Sequence, residues 1–185
     1  MIKKSLSLGI VGATGLVGRT FLKVLEEKSI PIEEIELFAT KKTAGTKLTY
    51  KNIQLEVQDI EKADFDKYDV LLFSAGKEAS QKYVPIAVKT GCLVIDNGSF
   101  WRMHPEVPLV VPEVNFQDSL NHKGIIANPN CSTIQLVVAL KPISDRFGLR
   151  KVEISTYQAI SGAGQKGIDK LFQEIKTGRV VETLS

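Results

Sequence analysis

The sequence predicts an α/β protein, built on a doubly wound parallel sheet of the Rossmann type and followed by the start of a second domain. Three observations predict it. Apolar runs rich in Val, Ile and Leu alternate with amphipathic segments, the runs are apolar on both faces, and the first ends in a glycine-rich turn that opens a helix. Strands apolar on both faces and joined by helices imply a parallel sheet covered on both sides.

The elements follow in order. Leu6–Val11 reads as the first strand. Lys3 and Lys4 before it give a faint likeness to a signal peptide, but the apolar stretch is short and runs into Gly12-Ala13-Thr14-Gly15, where a strand and turn explain every residue. The next helix carries Val17, Phe21, Val24 and Leu25 on one face and ends near Lys28, with Pro31 beyond it. Ile35–Ala39, Val70–Ser74, Leu93–Asp96, Leu109–Val111 and Gly124–Ala127 read as further strands. Glu78 to Lys89 reads as a helix kinked at Pro85 and stopped by Gly91. Ser132 to Phe147 reads as a helix broken or kinked by Pro142, with Gly148 at its end. Val152, Ile154 and Thr156 alternate as a half-buried strand, and a last helix runs from about Gln165 to Lys176, with Gly178 as its stop. One strand and two helices cannot close a core, so we expect one domain over 1–130 and an incomplete second one over 131–185.

Composition excludes several function classes. Of 185 residues, 43% are apolar and 24% charged, as in ordinary globular proteins. A net charge of +3, with no block of one sign, leaves no nucleic-acid patch. Two cysteines, Cys92 and Cys131, are too few for a disulfide framework and suggest a reducing compartment. No run approaches the roughly 20 apolar residues of a membrane span, so a cytoplasmic protein is expected. No metal-ligand pattern stands out.

Two segments carry chemistry. Gly12-Ala13-Thr14-Gly15-Leu16-Val17-Gly18 joins a strand to a helix, where glycines let backbone approach a pyrophosphate and the helix N-terminus offers free N–H donors. An NAD site commonly has an acid at the end of the next strand, about 20 residues on. Here Thr40-Lys41-Lys42-Thr43 puts two cations and two hydroxyls there, which suits a 2′-phosphate and favours NADP. Ser74-Ala75-Gly76 stands where strand ends meet a dinucleotide, although a plain turn would read the same.

The second segment is Asn128-Pro129-Asn130-Cys131-Ser132, with a cysteine where a strand gives way to a helix. Such settings lower a thiol pKa from about 8.5 toward roughly 3.5–7.5. Pro129 stiffens the turn, and the Asn130 amide can orient an acyl group. Cys92 starts a buried strand without polar neighbours and is expected to be inert packing.

These blocks stand in order with Asn97-Gly98-Ser99, Arg102-Met103, Pro108 to Asn115 and Thr156-Tyr157-Gln158-Ala159-Ile160-Ser161-Gly162-Ala163-Gly164. Together they resemble the aspartate-semialdehyde dehydrogenases, especially the form common in Gram-positive and many other bacteria. The resemblance implies that residue 131 begins an α+β catalytic and dimerisation domain in a homodimer or homotetramer. It implies reversible conversion of L-aspartate 4-semialdehyde, phosphate and NADP⁺ to 4-phospho-L-aspartate and NADPH, on the route to lysine, methionine and threonine. Cys131 would carry the thioester, Gln158 would hold the substrate, Arg102 would clamp phosphate, and Ser161 and Gly162 would line the nicotinamide side. The family's acid/base histidine, a substrate arginine and a second phosphate-binding lysine would follow Ser185; His104 and His122 are expected in solvent-facing loops. N-acetyl-glutamyl-phosphate reductases share the chemistry but usually have Asn-Pro-Gly-Cys, so Asn130 argues against them. A malonyl-coenzyme A reductase and a module that holds NADP without turnover stay open.

Overall fold

A computed structural model describes residues 5–180; Lys3 and Lys4, and the segment after Val180, lie outside the described residues. The chain divides into two compact units between Gly148 and Leu149. The first holds a seven-stranded sheet of order β3-β4-β2-β1-β5-β6-β7. Its strands are β1 (Leu6–Val11), β2 (Ile32–Ala39), β3 (Lys47–Tyr50), β4 (Ile53–Asp59), β5 (Val70–Phe73), β6 (Leu93–Asp96) and β7 (Ile125–Ala127). All neighbours are parallel except β3, which runs antiparallel to β4. The helices are α1 (Leu16–Glu27), α2 (Lys77–Lys89), α3 (Pro112–Asn115), α4 (Cys131–Phe147) and, in the second unit, α5 (Gln165–Thr177).

Adjacent strand residues point to opposite faces of a sheet, and the two cores divide accordingly. Ile10 and Leu37 pack with Leu22 and Leu25 of α1 on one face. Val11 and Phe38 pack with Tyr83, Val84 and Ala87 of α2 on the other. Helices thus cover both faces, and the doubly wound expectation holds.

Several expectations change. The face of α1 that is buried is Gly18, Leu22 and Leu25, whereas Val17 and Val24 are exposed; their apolar spacing follows the helix but one step around from the sheet. Helix α2 runs unbroken through Pro85, and α4 through Pro142. Leu109–Val111 forms a single bridge, Leu109 to Ala127, and no strand. Proline cannot donate to a ladder; Pro108 precedes the bridge, and Asn115 Oδ1 takes the Val111 N–H as α3 begins at Pro112.

The segment 149–159 carries no strand, and Val152 and Ile154 are exposed. No ladder partner for them exists among the described residues, and unpaired backbone of that kind must face solvent. The hairpin of β3 and β4 is an addition. Lys51 and Asn52, at φ 46° and 66°, make a two-residue turn of the primed kind. Helix α4 contacts α3 and lies within the first compact unit. In the second unit α5 packs on a 3-10 turn over Ile160–Ala163, and Gly178 caps it at φ 65°.

Candidate active site

The order of the sheet locates the crevice. The chain leaves β1 for β2 on one side and returns through β5 on the other, and ligands of open α/β sheets sit at the carboxyl ends of strands at that switch. The glycine turn ends β1 and Ser74-Ala75-Gly76 ends β5.

Each glycine of the first turn has a distinct task. Gly12, at φ +84°, gives up its N–H to Phe38 O at 2.8 Å, and a Cβ on it would lie 2.2 Å from Ser74 O. Gly18 packs α1 onto the turn, since its Cβ would lie 2.3 Å from Gly12 O. Gly15 is exposed at the N-cap of α1 with no side-chain cap. The first N–H groups of a helix lack partners within it, so Leu16 and Val17, both exposed, present donors and a positive dipole end, while the Gly15 N–H is donated to Gly12 O at 3.0 Å.

Thr14 Oγ1 lies 3.2 Å from Thr43 Oγ1, which joins the glycine turn to the turn over Thr40–Thr43. Thr40 O accepts from the N–H groups of Thr43 and Ala44, and this folds Lys41 and Lys42 outward, exposed. Ala75 packs against the α2-side core, and Gly76, at φ +86°, caps α2. The predicted dinucleotide residues of the first unit therefore meet at one edge of the sheet. They fit a dinucleotide: the N-terminus of α1 is open, and the turn joined to it by Thr14 and Thr43 carries two exposed cations.

The ends of β6 and β7 are tied by Arg102. Its Nε donates to Asn128 O and its Nη2 to Asn97 O, each at 2.9 Å, and Asn128 Nδ2 donates to Asn97 Oδ1 at 2.6 Å. Phe100 and Trp101 meet edge to face at 4.8 Å, as expected of a packed loop. Three residues after Asn128, Cys131 takes the first position of the 17-residue α4 and is exposed. Asn130 is the N-cap: its Oδ1 accepts the Ser132 N–H at 2.9 Å and, at 3.9 Å, the Cys131 thiol. An exposed thiol at the start of a long helix is open to an approaching acyl group.

Cys92 is buried, and burial followed by the field of Asp69 pushes its thiol up to about 12. It is inert packing as expected, though Asp69 is a polar neighbour that the strand pattern does not reveal. His104 is exposed and meets Trp101 edge to face at 5.4 Å, and His122 is exposed with Nδ1 accepting the Gly124 N–H.

Gln158, Ser161 and Gly162 belong to the second unit. There the Gln158 amide lies against Gly162, where a Cβ would fall 2.1 Å from Nε2, an overlap that the exposed Gln158 side chain can relieve by turning aside. All three residues are exposed. The sequence reading missed Asp96, a fully buried carboxyl at the end of β6. Burial raises its pKa, against the pull of Ser80, the Gly98 N–H and Arg102; the only available signal was an acid ending an apolar strand. Among the described residues no group of three ligating side chains could hold a metal, and no helix is long and apolar enough to cross a membrane.

Known proteins resemble this chain in sequence and fold. The model of the semialdehyde dehydrogenase NAD binding domain matches residues 7–122, and that of the semialdehyde dehydrogenase dimerisation domain matches 140–184. The aspartate-semialdehyde dehydrogenase of Aquifex aeolicus is 54% identical over 172 residues, covering 91% of this chain and 51% of its own length. Aspartate semialdehyde dehydrogenase II from Vibrio cholerae, complexed with ASA, superposes with a TM-score of 0.91 at 42% identity, over 98% of this chain and 56% of that one. The aspartate semialdehyde dehydrogenase with NADP from Candida albicans gives 0.65 at 28% identity, over 78% and 48%. The chain spans about half the length of the curated relatives it matches.

Proposed function

The chain belongs to the semialdehyde dehydrogenase family, and on that premise we propose that the whole protein is an NADP-dependent, phosphorylating aspartate-semialdehyde dehydrogenase. It interconverts L-aspartate 4-semialdehyde and phosphate with 4-phospho-L-aspartate, in the cytoplasm, on the route to lysine, methionine and threonine. The observation that carries the reading is Cys131, exposed at the start of α4, three residues from the Asn128 carbonyl that Arg102 holds. Acyl transfer to phosphate needs a sulfur nucleophile and a guanidinium in one place, and this edge of the sheet supports both.

The steps follow from the residues. The Cys131 thiolate adds to the aldehyde carbon, forming a C–S bond. NADP⁺ bound at the glycine turn supplies the hydride acceptor. The C=O electron pair moves onto oxygen in that addition. When it returns, the C–H bond pair leaves as hydride and the acyl group stays on sulfur as a thioester, until a phosphate oxygen attacks the carbonyl carbon, the C–S bond breaks and the thiolate leaves. Splitting the reaction this way makes two moderate steps of one hard one.

Asn130 holds the thiol side of the turn. Arg102 spends Nε and Nη2 on backbone carbonyls, which fixes the plane of the guanidinium and leaves its other N–H donors for phosphate. Gly15, Leu16 and Val17, with Thr14, take the pyrophosphate. Lys41 and Lys42, between Thr40 and Thr43, take the 2′-phosphate, which favours NADP over NAD. Ser74, Ala75 and Gly76 border the same crevice. Gln158 holds the substrate, and Ser161 and Gly162 line the nicotinamide side. On this reading residues 1–130 bind the cofactor, and 131–185 begin the catalytic and dimerisation domain of a homodimer or homotetramer.

The full-length gene product is assayed for NADPH formation from L-aspartate 4-semialdehyde, with and without phosphate. Phosphate-dependent turnover is expected, abolished by Cys131→Ser while NADPH binding persists. Retention of more than a few per cent of activity in that variant removes Cys131 as nucleophile; no turnover in the parent removes the reaction.

A further inference from the structure

Among the described residues Asp96 is the only charged side chain that is fully buried. An ion in such a place costs several kcal/mol unless its partners hold it, and no step of the proposed reaction uses this one. Its partners are specific. Ser80 of α2 donates its hydroxyl to Oδ2, and the Gly98 N–H donates to Oδ1 at 2.6 Å. Its backbone oxygen accepts the Asn128 N–H at 2.8 Å. The Arg102 charge acts on its carboxyl.

The bond from Oδ1 to the N–H two residues on is a side-chain turn that mimics a backbone turn. It sets the orientation of the peptide between, whose carbonyl belongs to Asn97. That carbonyl is one of the two that Arg102 grips. A Cβ on Gly98 would lie 2.9 Å from Oδ1, so the turn leaves no room for another residue there. Asp96 thus fixes, from inside the sheet, the carbonyls that aim the guanidinium at the mouth of the crevice.

We propose that Asp96 is a positioning residue for the phosphate group, acting through Arg102, with Ser80 fixing its carboxylate from the helix side. This rests on the reading of Arg102 as the phosphate clamp.

The test uses the full-length enzyme, with inorganic phosphate as the varied ligand. Asp96→Asn keeps the volume but removes the charge and replaces one acceptor by a donor. The KM for phosphate is expected to rise about tenfold, the loss of roughly one charge-assisted hydrogen bond, while the NADPH Kd stays within about twofold. Ser80→Ala should move the same constant in the same direction, less far, and it reports if Asp96→Asn does not fold. In an Arg102→Leu background, adding Asp96→Asn should change the phosphate KM by less than about twofold, because residues acting as one unit are not additive. If Arg102→Leu raises that KM and Asp96→Asn or Ser80→Ala does not, the positioning role is overturned and the clamp stands. Full additivity of the two changes overturns it as well, as does a loss confined to kcat and melting temperature. A phosphate KM untouched by Arg102→Leu removes the clamp itself, and the proposal with it.

Discussion

Gly18→Ala and Gly15→Ala should separate packing from ligand approach within one turn. A Cβ at Gly18 would lie 2.3 Å from Gly12 O, 2.6 Å from Ala13 Cα and 2.9 Å from Ala13 C. Ordinary contact is about 3.5 Å, so the start of α1 must move by about 1 Å. All three neighbours are backbone and cannot rotate aside. Overpacking of this kind costs about 1–3 kcal/mol, against roughly 1 kcal/mol that alanine contributes as the better helix former. The net loss is therefore roughly 0–2 kcal/mol, toward the upper end because no contacting atom can turn aside. A displacement near 1 Å at a ligand-positioning turn can cost up to about 10² in function, so the NADPH Kd should rise at least about tenfold.

Gly15 is different. Its φ of −74° and ψ of 170° suit alanine, and the nearest atom to a Cβ is 3.3 Å away. Exchange of a glycine cap for alanine costs up to about 1 kcal/mol, yet the new methyl stands at the helix mouth where a pyrophosphate would approach. Urea unfolding and NADPH fluorescence titration of the full-length protein read the two quantities. Gly18→Ala should lose stability and affinity, and Gly15→Ala mainly affinity. An unchanged unfolding midpoint and Kd for Gly18→Ala would refute the packing role, and full affinity in Gly15→Ala would place the pyrophosphate elsewhere.

Lys41→Glu with Lys42→Glu should lower the preference for NADP over NAD or invert it, because a carboxylate repels a 2′-phosphate and accepts from a ribose hydroxyl; an unchanged ratio of the two Kd values would locate the 2′-phosphate on other residues. Iodoacetamide at pH 8 should label one thiol per native chain, Cys131, and reach Cys92 only in denaturant, since burial keeps Cys92 protonated up to about 12; equal labelling rates at both sites, read by mass spectrometry, would contradict its burial. Tyr50 has a buried hydroxyl with no hydrogen-bond partner among the described residues, so Tyr50→Phe should be neutral or stabilise by about 1 kcal/mol in urea unfolding. A loss of more than that would reveal a partner for the hydroxyl.

Much of the fold was legible in order along the chain. Leu6–Val11 and Leu93–Asp96 were bounded to the residue because buried parallel strands are apolar on both faces and end at turn residues. The helix after the glycine turn, the helix from Cys131 and the stop at Gly178 were legible for a similar reason: capping residues and helical spacing are local signals. The hairpin at Lys51-Asn52 escaped because its strands are half polar, and Lys51 is an unusual residue for a positive φ. The strands expected at Leu109–Val111 and Val152–Thr156 show the converse error, since β-propensity describes a residue and pairing requires a neighbour.

The sequence by itself determined the chemistry available at the site: a glycine turn, a pair of lysines, an arginine and a cysteine at a helix start. Tertiary structure alone decided which of these meet. Thr14 touches Thr43 across 29 positions, and Arg102 grips Asn128 across 26. It also decided that Asp96, one acid among many in composition, lies fully buried beneath the Arg102 loop. Local signals extend over a turn or two of backbone, whereas the desolvation of a carboxylate depends on every element packed around it, and no stretch of sequence contains those neighbours.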